Sequence, residues 1–495
     1  MAEPDQARPS VNAAVRQGFI WNLLNFLFSQ GAGLLIFITL SRAVSPAIFG
    51  VFALAAILVD LFTLQGRWAA MDALIQRQDF TKTALSTAFL CLTGVAGVVL
   101  IASVIGSGVA ARAFEEPMLG HVLPALALTL VFTPPIIVME ALIMRRLLFR
   151  AQAIRSIIGT LVGGAAGIAV AFSPAVEWAL VAQRLASTLV TVGVLFAYTR
   201  WFPAWEFDRA SAASFLRRAA QLWGTTVLAT AHVRVIEAFV GLRSGAEALG
   251  LIAVARRFET LLHGPVTGPI QGLWVPVLSA LRDDKAESWK LFLRLSQLTA
   301  LIALPTFVGL GLVADEVVSL LLDHRYSGAG VVLMVIAAQG VFMPMGFFAN
   351  LVFAGLDRSD LSLKLSLANL AVVTPAVWLA AQHGPVPALL AGLIVMGVAG
   401  IIATLVQIRM LGGRVSAFLL ALAPGYSGAA AMIVAVLLLD ALIPIEGALL
   451  ELLCFAPLGA AVYVGWLLAF HRGQLLEAWR FLSHRRGATI GAEPA

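Results

Sequence analysis

Apolar residues in this chain run in blocks of about twenty or more, separated by short polar clusters. That is the length an α-helix needs to cross the hydrocarbon core of a bilayer. The first block, Phe19 to Leu40, is longer than the core of a signal peptide and lacks a small-residue cleavage site, so it reads as a span. Further blocks follow at roughly 46–66, 83–108, 120–144, 153–173, 177–199, 216–240, 247–280, 293–313, 328–356, 362–381, 386–408, 419–440 and 447–470. The pattern predicts an all-α membrane protein of fourteen transmembrane helices.

Composition agrees: 60% of the 495 residues are hydrophobic, 12% are charged, and the mean hydropathy is +0.93. Fourteen spans take about 280 residues, which leaves no room for a large soluble domain. The net charge of +6 follows topology. With the N-terminus inside, 25 of the 33 Lys and Arg fall in cytoplasmic segments, while only Arg42, Arg112, Arg243 and Arg325 fall outside. This is the positive-inside bias, and it predicts an even number of spans with both termini cytoplasmic. Glu140, beside Arg145 and Arg146 at a cytoplasmic helix end, is expected in a surface ion pair. Trp21 and Trp223 are expected to act as interface anchors.

Several function classes fall away on the same grounds. The basic residues are spread through short loops and form no aromatic-interleaved patch, so nucleic acid is not an expected partner. Cys91 and Cys454 lie in apolar runs and supply neither a disulfide framework nor a metal cluster. The longest outer loop, 314–327, is too short for an external catalytic domain, which opposes a membrane glycosyltransferase or ligase. No Gly-rich nucleotide loop is present, and no cofactor is expected.

The chain also repeats itself. Phe49-Gly50-Val51-Phe52-Ala53-Leu54-Ala55 matches Leu249-Gly250-Leu251-Ile252-Ala253-Val254-Ala255 at an offset of 200, and Val131-Phe132-Thr133-Pro134 matches Val341-Phe342-Met343-Pro344 at 210. Both pairs lie six spans apart. An even separation predicts two six-helix lobes of one orientation, related by a parallel pseudo-twofold along the membrane normal. The expected segments are a cytoplasmic N-terminus (1–18), an N-lobe (19–200), a C-lobe (214–411), spans 13 and 14 (419–470) and a cytoplasmic tail (471–495). A cleft between such lobes suits alternating access.

The run Leu40-Ser41-Arg42-Ala43-Val44-Ser45-Pro46-Ala47-Ile48-Phe49-Gly50, followed by Ala73-Leu74-Ile75-Gln76-Arg77 and Leu85-Ser86-Thr87-Ala88-Phe89, resembles the polysaccharide exporters of the multidrug/oligosaccharidyl-lipid/polysaccharide superfamily. The branch of colanic acid and exopolysaccharide flippases is the nearest. Trp178-Ala179-Leu180-Val181-Ala182-Gln183, Leu249-Gly250 with Ala255 and Arg257, Val275-Pro276-Val277-Leu278-Ser279, and Ala354-Gly355-Leu356-Asp357-Arg358-Ser359-Asp360 continue the resemblance over most of 15–410. It implies a flippase of the bacterial inner membrane that carries undecaprenyl-diphosphate-linked oligosaccharide to the periplasmic leaflet, driven by a proton or sodium gradient. Implied partners are membrane lipid, a polysaccharide polymerase and a chain-length regulator. The branch carries an Asp where Ile236 stands and a Tyr where Ile252 stands; Glu237, one position on, is the nearest carboxylate. An ion-coupled drug antiporter of the same superfamily is the alternative.

Moving a diphosphate and a string of hydroxyls across hydrocarbon requires cations and hydrogen-bonding groups inside the spans. Arg184, Arg234, Arg256 and Arg257 lie seven to nine residues from the outer ends of spans 6, 7 and 8, about 10–14 Å deep at 1.5 Å per residue. Glu237 follows Arg234 by three positions, and Arg256, Glu259, Thr260 and His263 share a helix face. These groups are expected either to line a cationic substrate chamber or to form an internal salt-bridge network. Asp60 and Glu237 are the candidate coupling carboxylates. Asn22, Asn25 and Ser29 form a polar stripe of the kind that joins helices. Gly264-Pro265 and Gly268-Pro269 are expected to break span 8 and act as a hinge.

Overall fold

The computed structural model describes residues 11–475 except 78, 79, 282, 283, 347, 444 and 446, without the side chains of 11–20, 22, 23, 229, 269–273, 275–277 and 280. The Asn22 and Pro269 side chains, residues 1–10, and Arg282, Arg480, Arg485 and Arg486 therefore lie outside the described residues. Among those described there is no strand, and twelve helices are long and apolar enough to cross a membrane. The chain divides into two compact units, Met1–Ala253 and Val254–Ala495.

The first unit holds α1 (Val11–Ala43), α2 (Pro46–Asp60), a π turn (Leu61–Gln65), α3 (Gly66–Ile75), α4 (Lys82–Ala113), α5 (Leu119–Ala127), α6 (Thr129–Arg145), α7 (Phe149–Ala171) and α8 (Ala179–Thr199). It also takes the first part of the long helix α9 (Arg209–Ala280). Proline at the first helical position and Ser45 as N-cap start α2, as expected where the first N–H groups have no helical partner.

Glycine spacing sets how α7 meets α8. A Cβ on Gly163 would sit 2.8 Å from the carbonyl oxygen of Gln183, and one on Gly167 2.9 Å from the Gln183 Cβ. With Gly159 they form a stripe of small residues at four-residue spacing, which lets two backbones approach where no hydrophobic effect drives helices together. Ser29 Oγ meets Ser156 Oγ at 3.2 Å, joining α1 to α7.

In α9 the one non-helical residue is Gly245 (φ 81°, ψ 176°), between the expected spans 7 and 8. Glycine takes this conformation without the Cβ penalty of other residues. Gly264, Pro265, Gly268 and Pro269 do not interrupt α9, contrary to the expected break; the two N–H groups missing at the prolines are tolerated in a long helix.

The second unit continues with α10 (Lys285–Leu312), α11 (Ala314–Leu321), α12 (Ala329–Ala337), α13 (Ala349–Gly355), α14 (Ser359–Ala380), α15 (Pro385–Met410), α16 (Val415–Leu442) and α17 (Ala448–Phe470). The expected continuous span 328–356 is instead broken: α12 tightens into a 3-10 turn at Ala338–Phe342 before α13. Pro344 lacks an N–H to continue the ladder, and Gly346 adopts φ 88° against α15, where a Cβ would lie 2.4 Å from the Gly400 Cα. Tyr426 donates to the Val341 carbonyl in this turn at 2.6 Å.

Trp274, almost fully buried, centres this unit's core between Phe292 and Phe348, with ring centroids 5.9 and 5.7 Å away. Pro305 inside α10 cannot donate to the Leu301 carbonyl four residues back. The Tyr463 hydroxyl of α17 donates to that carbonyl at 3.0 Å, so the orphaned acceptor is satisfied from a neighbouring helix.

Candidate functional site

The π turn between α2 and α3 gathers the first cluster. The Leu61 carbonyl, which accepts the Gly66 N–H across the turn, also accepts from the Trp223 indole at 2.8 Å, and the Trp223 and Phe62 rings lie tilted with centroids 5.3 Å apart. Trp223 thus braces the turn. Asp60 closes the preceding helix, and its Oδ1 accepts from Arg184 Nη2 of α8 at 2.7 Å. Thr63 Oγ1 lies 3.1 Å from Asp60 Oδ1 and 3.4 Å from Arg184 Nη2. The candidate coupling carboxylate and one of the expected chamber arginines therefore form one ion pair.

A second ion-pair cluster lies in the same unit. Glu140 of α6 is 2% exposed and binds Arg155 Nη1 of α7 at 2.6 Å and Arg67 Nε of α3 at 3.6 Å. The expected surface pair with Arg145 and Arg146 is corrected: Glu140 points into the unit, while Arg145 lies over the Phe80 ring at 4.2 Å and donates to the Arg77 carbonyl. Arg67 and Arg155, assigned to cytoplasmic loops by charge counting, sit inside helices of span length. The spans that carry them, Pro46–Ile75 and Phe149–Ala171, are longer than the twenty residues a bilayer requires.

Between these clusters lies a cavity of about 210 Å³ lined by Arg67, Arg155 and Arg184 and by the hydroxyls of Thr63, Thr133 and Thr188, among others. Desolvating three guanidinium groups at membrane depth costs a few kcal/mol each; two carboxylates offset part of that cost.

The remaining expected site residues pair locally. Arg234 Nη1 binds Glu237 Oε2 at 2.8 Å, one helical turn on, and Glu237 is 8% exposed. In the second unit Glu259 Oε1 meets His263 Nδ1 at 2.8 Å, and Thr260 donates to the Arg256 carbonyl at 2.7 Å. Arg256 and Arg257 are both half-buried. No carboxylate among the described residues lies within ion-pair distance of Arg257, so it is the partner of neither Glu237 nor Glu259. Among the described residues no group of acidic, His or Cys side chains is arranged to hold a metal ion.

Residues 39–331 match the family model described as "Polysaccharide biosynthesis protein". The chain is 22% identical over 346 residues to the succinoglycan biosynthesis transport protein ExoT of Rhizobium meliloti (strain 1021), covering 69% of each chain. It is 22% identical over 411 residues to the lipopolysaccharide biosynthesis protein WzxC of Escherichia coli (strain K12), covering 82% of this chain and 83% of that one. Its fold is that of the lipid II flippase MurJ in an inward closed conformation, with TM-score 0.74 and 15% identity over 92% of this chain and 100% of that one. An inward-facing multidrug resistance transporter of the MATE family and MOP superfamily aligns with TM-score 0.55 and 16% identity, covering 80% of this chain and 94% of that one.

Proposed function

The chain belongs to the polysaccharide biosynthesis protein family, and we propose from that premise that it carries undecaprenyl-diphosphate-linked oligosaccharide from the cytoplasmic to the periplasmic leaflet by alternating access. It is a multi-pass membrane transporter of polysaccharide biosynthesis, and its relatives are transport proteins rather than enzymes. Its place is the bacterial inner membrane with both termini cytoplasmic, and it hands its cargo to a polymerase working with a chain-length regulator.

The observation that carries the reading is the balance of charge within the spans. In the first unit Arg67 and Arg155 pair with Glu140, Arg184 with Asp60 and Arg234 with Glu237; in the second, Arg256 and Arg257 lie on the same stretch of helix as Glu259, whose carboxylate meets His263. In each unit the arginines outnumber the carboxylates beside them, the sign of interior that suits an anionic cargo. A cationic drug would be repelled by such an interior, which disfavours the antiporter alternative. Asp60 and Glu237 each hold an arginine, so a proton or sodium ion taken up at either carboxylate releases that arginine for an anion. This is the coupling we assign to them. Gly264, Pro265, Gly268 and Pro269 supply the hinge, because a helix with missing backbone hydrogen bonds bends at lower cost.

Deleting the gene tests the reading. Surface or secreted polysaccharide should disappear. Continued polymer export together with altered resistance to cationic drugs would favour the antiporter instead.

A further inference from the structure

The cavity of the first unit is unlike a closed structural ion-pair network in two respects. Among the described residues its three guanidinium groups face two carboxylates, Asp60 and Glu140, which leaves one positive charge unbalanced. Arg155 has only 11% of its side chain exposed, and its Nε finds no hydrogen-bond partner. A buried donor without a partner costs about 1–3 kcal/mol, so the site is built for a group that the protein itself does not supply.

The hydroxyls indicate what kind of group that is. Thr129 donates to the Leu126 carbonyl at 2.7 Å, Thr133 to Thr129 at 3.0 Å and Thr188 to Arg184 at 2.8 Å. Thr63 has the Val59 carbonyl and the Asp60 carboxylate to donate to, both at 3.1 Å. The protons of these four hydroxyls are thus committed to the protein and their oxygens act as acceptors, while Ser156, Thr160, Ser187 and Thr191 add further hydroxyls to the cavity wall. Positive donors on one set of positions and neutral acceptors on another complement a ligand that carries one negative charge and several O–H groups. A halide has no donors for those oxygens, and inorganic phosphate brings fewer than a sugar ring does. Size agrees: a cavity of ~150 Å³ admits benzene, so about 210 Å³ admits a substituted six-membered ring.

We infer that this cavity is a subsite for an acidic sugar residue of the cargo, a pyranose bearing one carboxylate, such as a hexuronate. Arg155 and Arg184 receive the carboxylate, and the threonine oxygens accept from the ring hydroxyls. The inference rests on the transport reading above and assigns to the first unit a part in selecting which repeat units are carried.

The test uses the full-length protein in lipid nanodiscs and saturation-transfer NMR with three probes: methyl glucuronide, methyl glucoside and inorganic phosphate. The glucuronide should bind and the glucoside should not. Arg184→Gln should weaken glucuronide binding about tenfold, the loss of one charge-assisted hydrogen bond. Asp60→Asn, which raises the positive surplus, should not weaken it. Thr188→Val should weaken it without changing the melting temperature. Equal binding of glucoside and glucuronide, displacement of the glucuronide by an equal concentration of phosphate, or no glucuronide binding to folded wild-type protein at tens of millimolar would each overturn the inference. Failure of the transport reading looks different: a deletion strain would then export polymer normally whatever the pocket binds.

Discussion

Gly50 and Gly250 lie at reciprocal positions in one helix crossing: a Cβ on Gly50 would fall 1.7 Å from the Ala246 carbonyl oxygen, and a Cβ on Gly250 1.8 Å from that of Pro46. The offset of 200 that relates Gly50 to Gly250 also relates Pro46 to Ala246. The two contacts are reciprocal: each glycine faces backbone of the segment that carries the other. Both helices begin at this crossing, and both need glycine because the neighbour at the Cβ position is backbone, which cannot swing aside.

Gly50→Ala and Gly250→Ala should therefore each lower the amount of protein in the membrane. Overpacking of this kind costs about 1–3 kcal/mol. Gly94→Ala is the control, since its Cβ would meet nothing within 4 Å. Quantitative immunoblots of isolated membranes measure the effect.

Glu140 holds two arginines in a buried site, so Glu140→Ala leaves both without their carboxylate. Breaking a buried pair in this way costs about 3–5 kcal/mol. The expected result is a large loss of folded protein by fluorescence-detected gel filtration. Glu140→Gln combined with Arg155→Gln should recover much of it.

Removing the Tyr463 hydroxyl leaves the Leu301 carbonyl unsatisfied opposite Pro305. Tyr463→Phe should lower stability by about 1–3 kcal/mol. In a Pro305→Ala background the helix supplies its own N–H, and Tyr463→Phe should then cost much less. A double-mutant cycle on melting temperature reads this coupling.

The helical spans and the arginines within them were legible because each rests on a local pattern: length of apolar run and depth from a helix end. Gly245 falls in the loop read between spans 7 and 8. The partners of the charges were not legible. Asp60 and Arg184 are 124 residues apart, and Arg67, Glu140 and Arg155 come from three different helices. Counting basic residues toward loops also hid Arg67 and Arg155, since the helices that carry them run beyond the twenty residues a bilayer demands. The π turn at Leu61–Gln65 leaves no composition signature, yet it is what turns Thr63 toward Asp60. The break before α13 follows from Pro344 and Gly346, which the hydropathy of 328–356 outweighed.

Arg257 is a span-interior arginine that no carboxylate among the described residues holds, so its role should be separable from folding. With membrane abundance unchanged, Arg257→Ala should abolish nearly all polymer export, and Arg257→Lys should keep part of it, because Lys preserves charge but not the paired donors that fit phosphate oxygens. Export assays normalised to protein level measure this. Full export by a normally expressed Arg257→Ala would remove the residue from the substrate path.

The transport claim itself is tested most directly by asking on which leaflet the lipid-linked repeat units reside. In spheroplasts of a deletion strain, the units should accumulate and resist a membrane-impermeant glycosidase added from outside; restoring the wild-type gene should make them susceptible. Units that remain fully accessible to the enzyme in the absence of this protein would contradict its role in carrying them across the membrane.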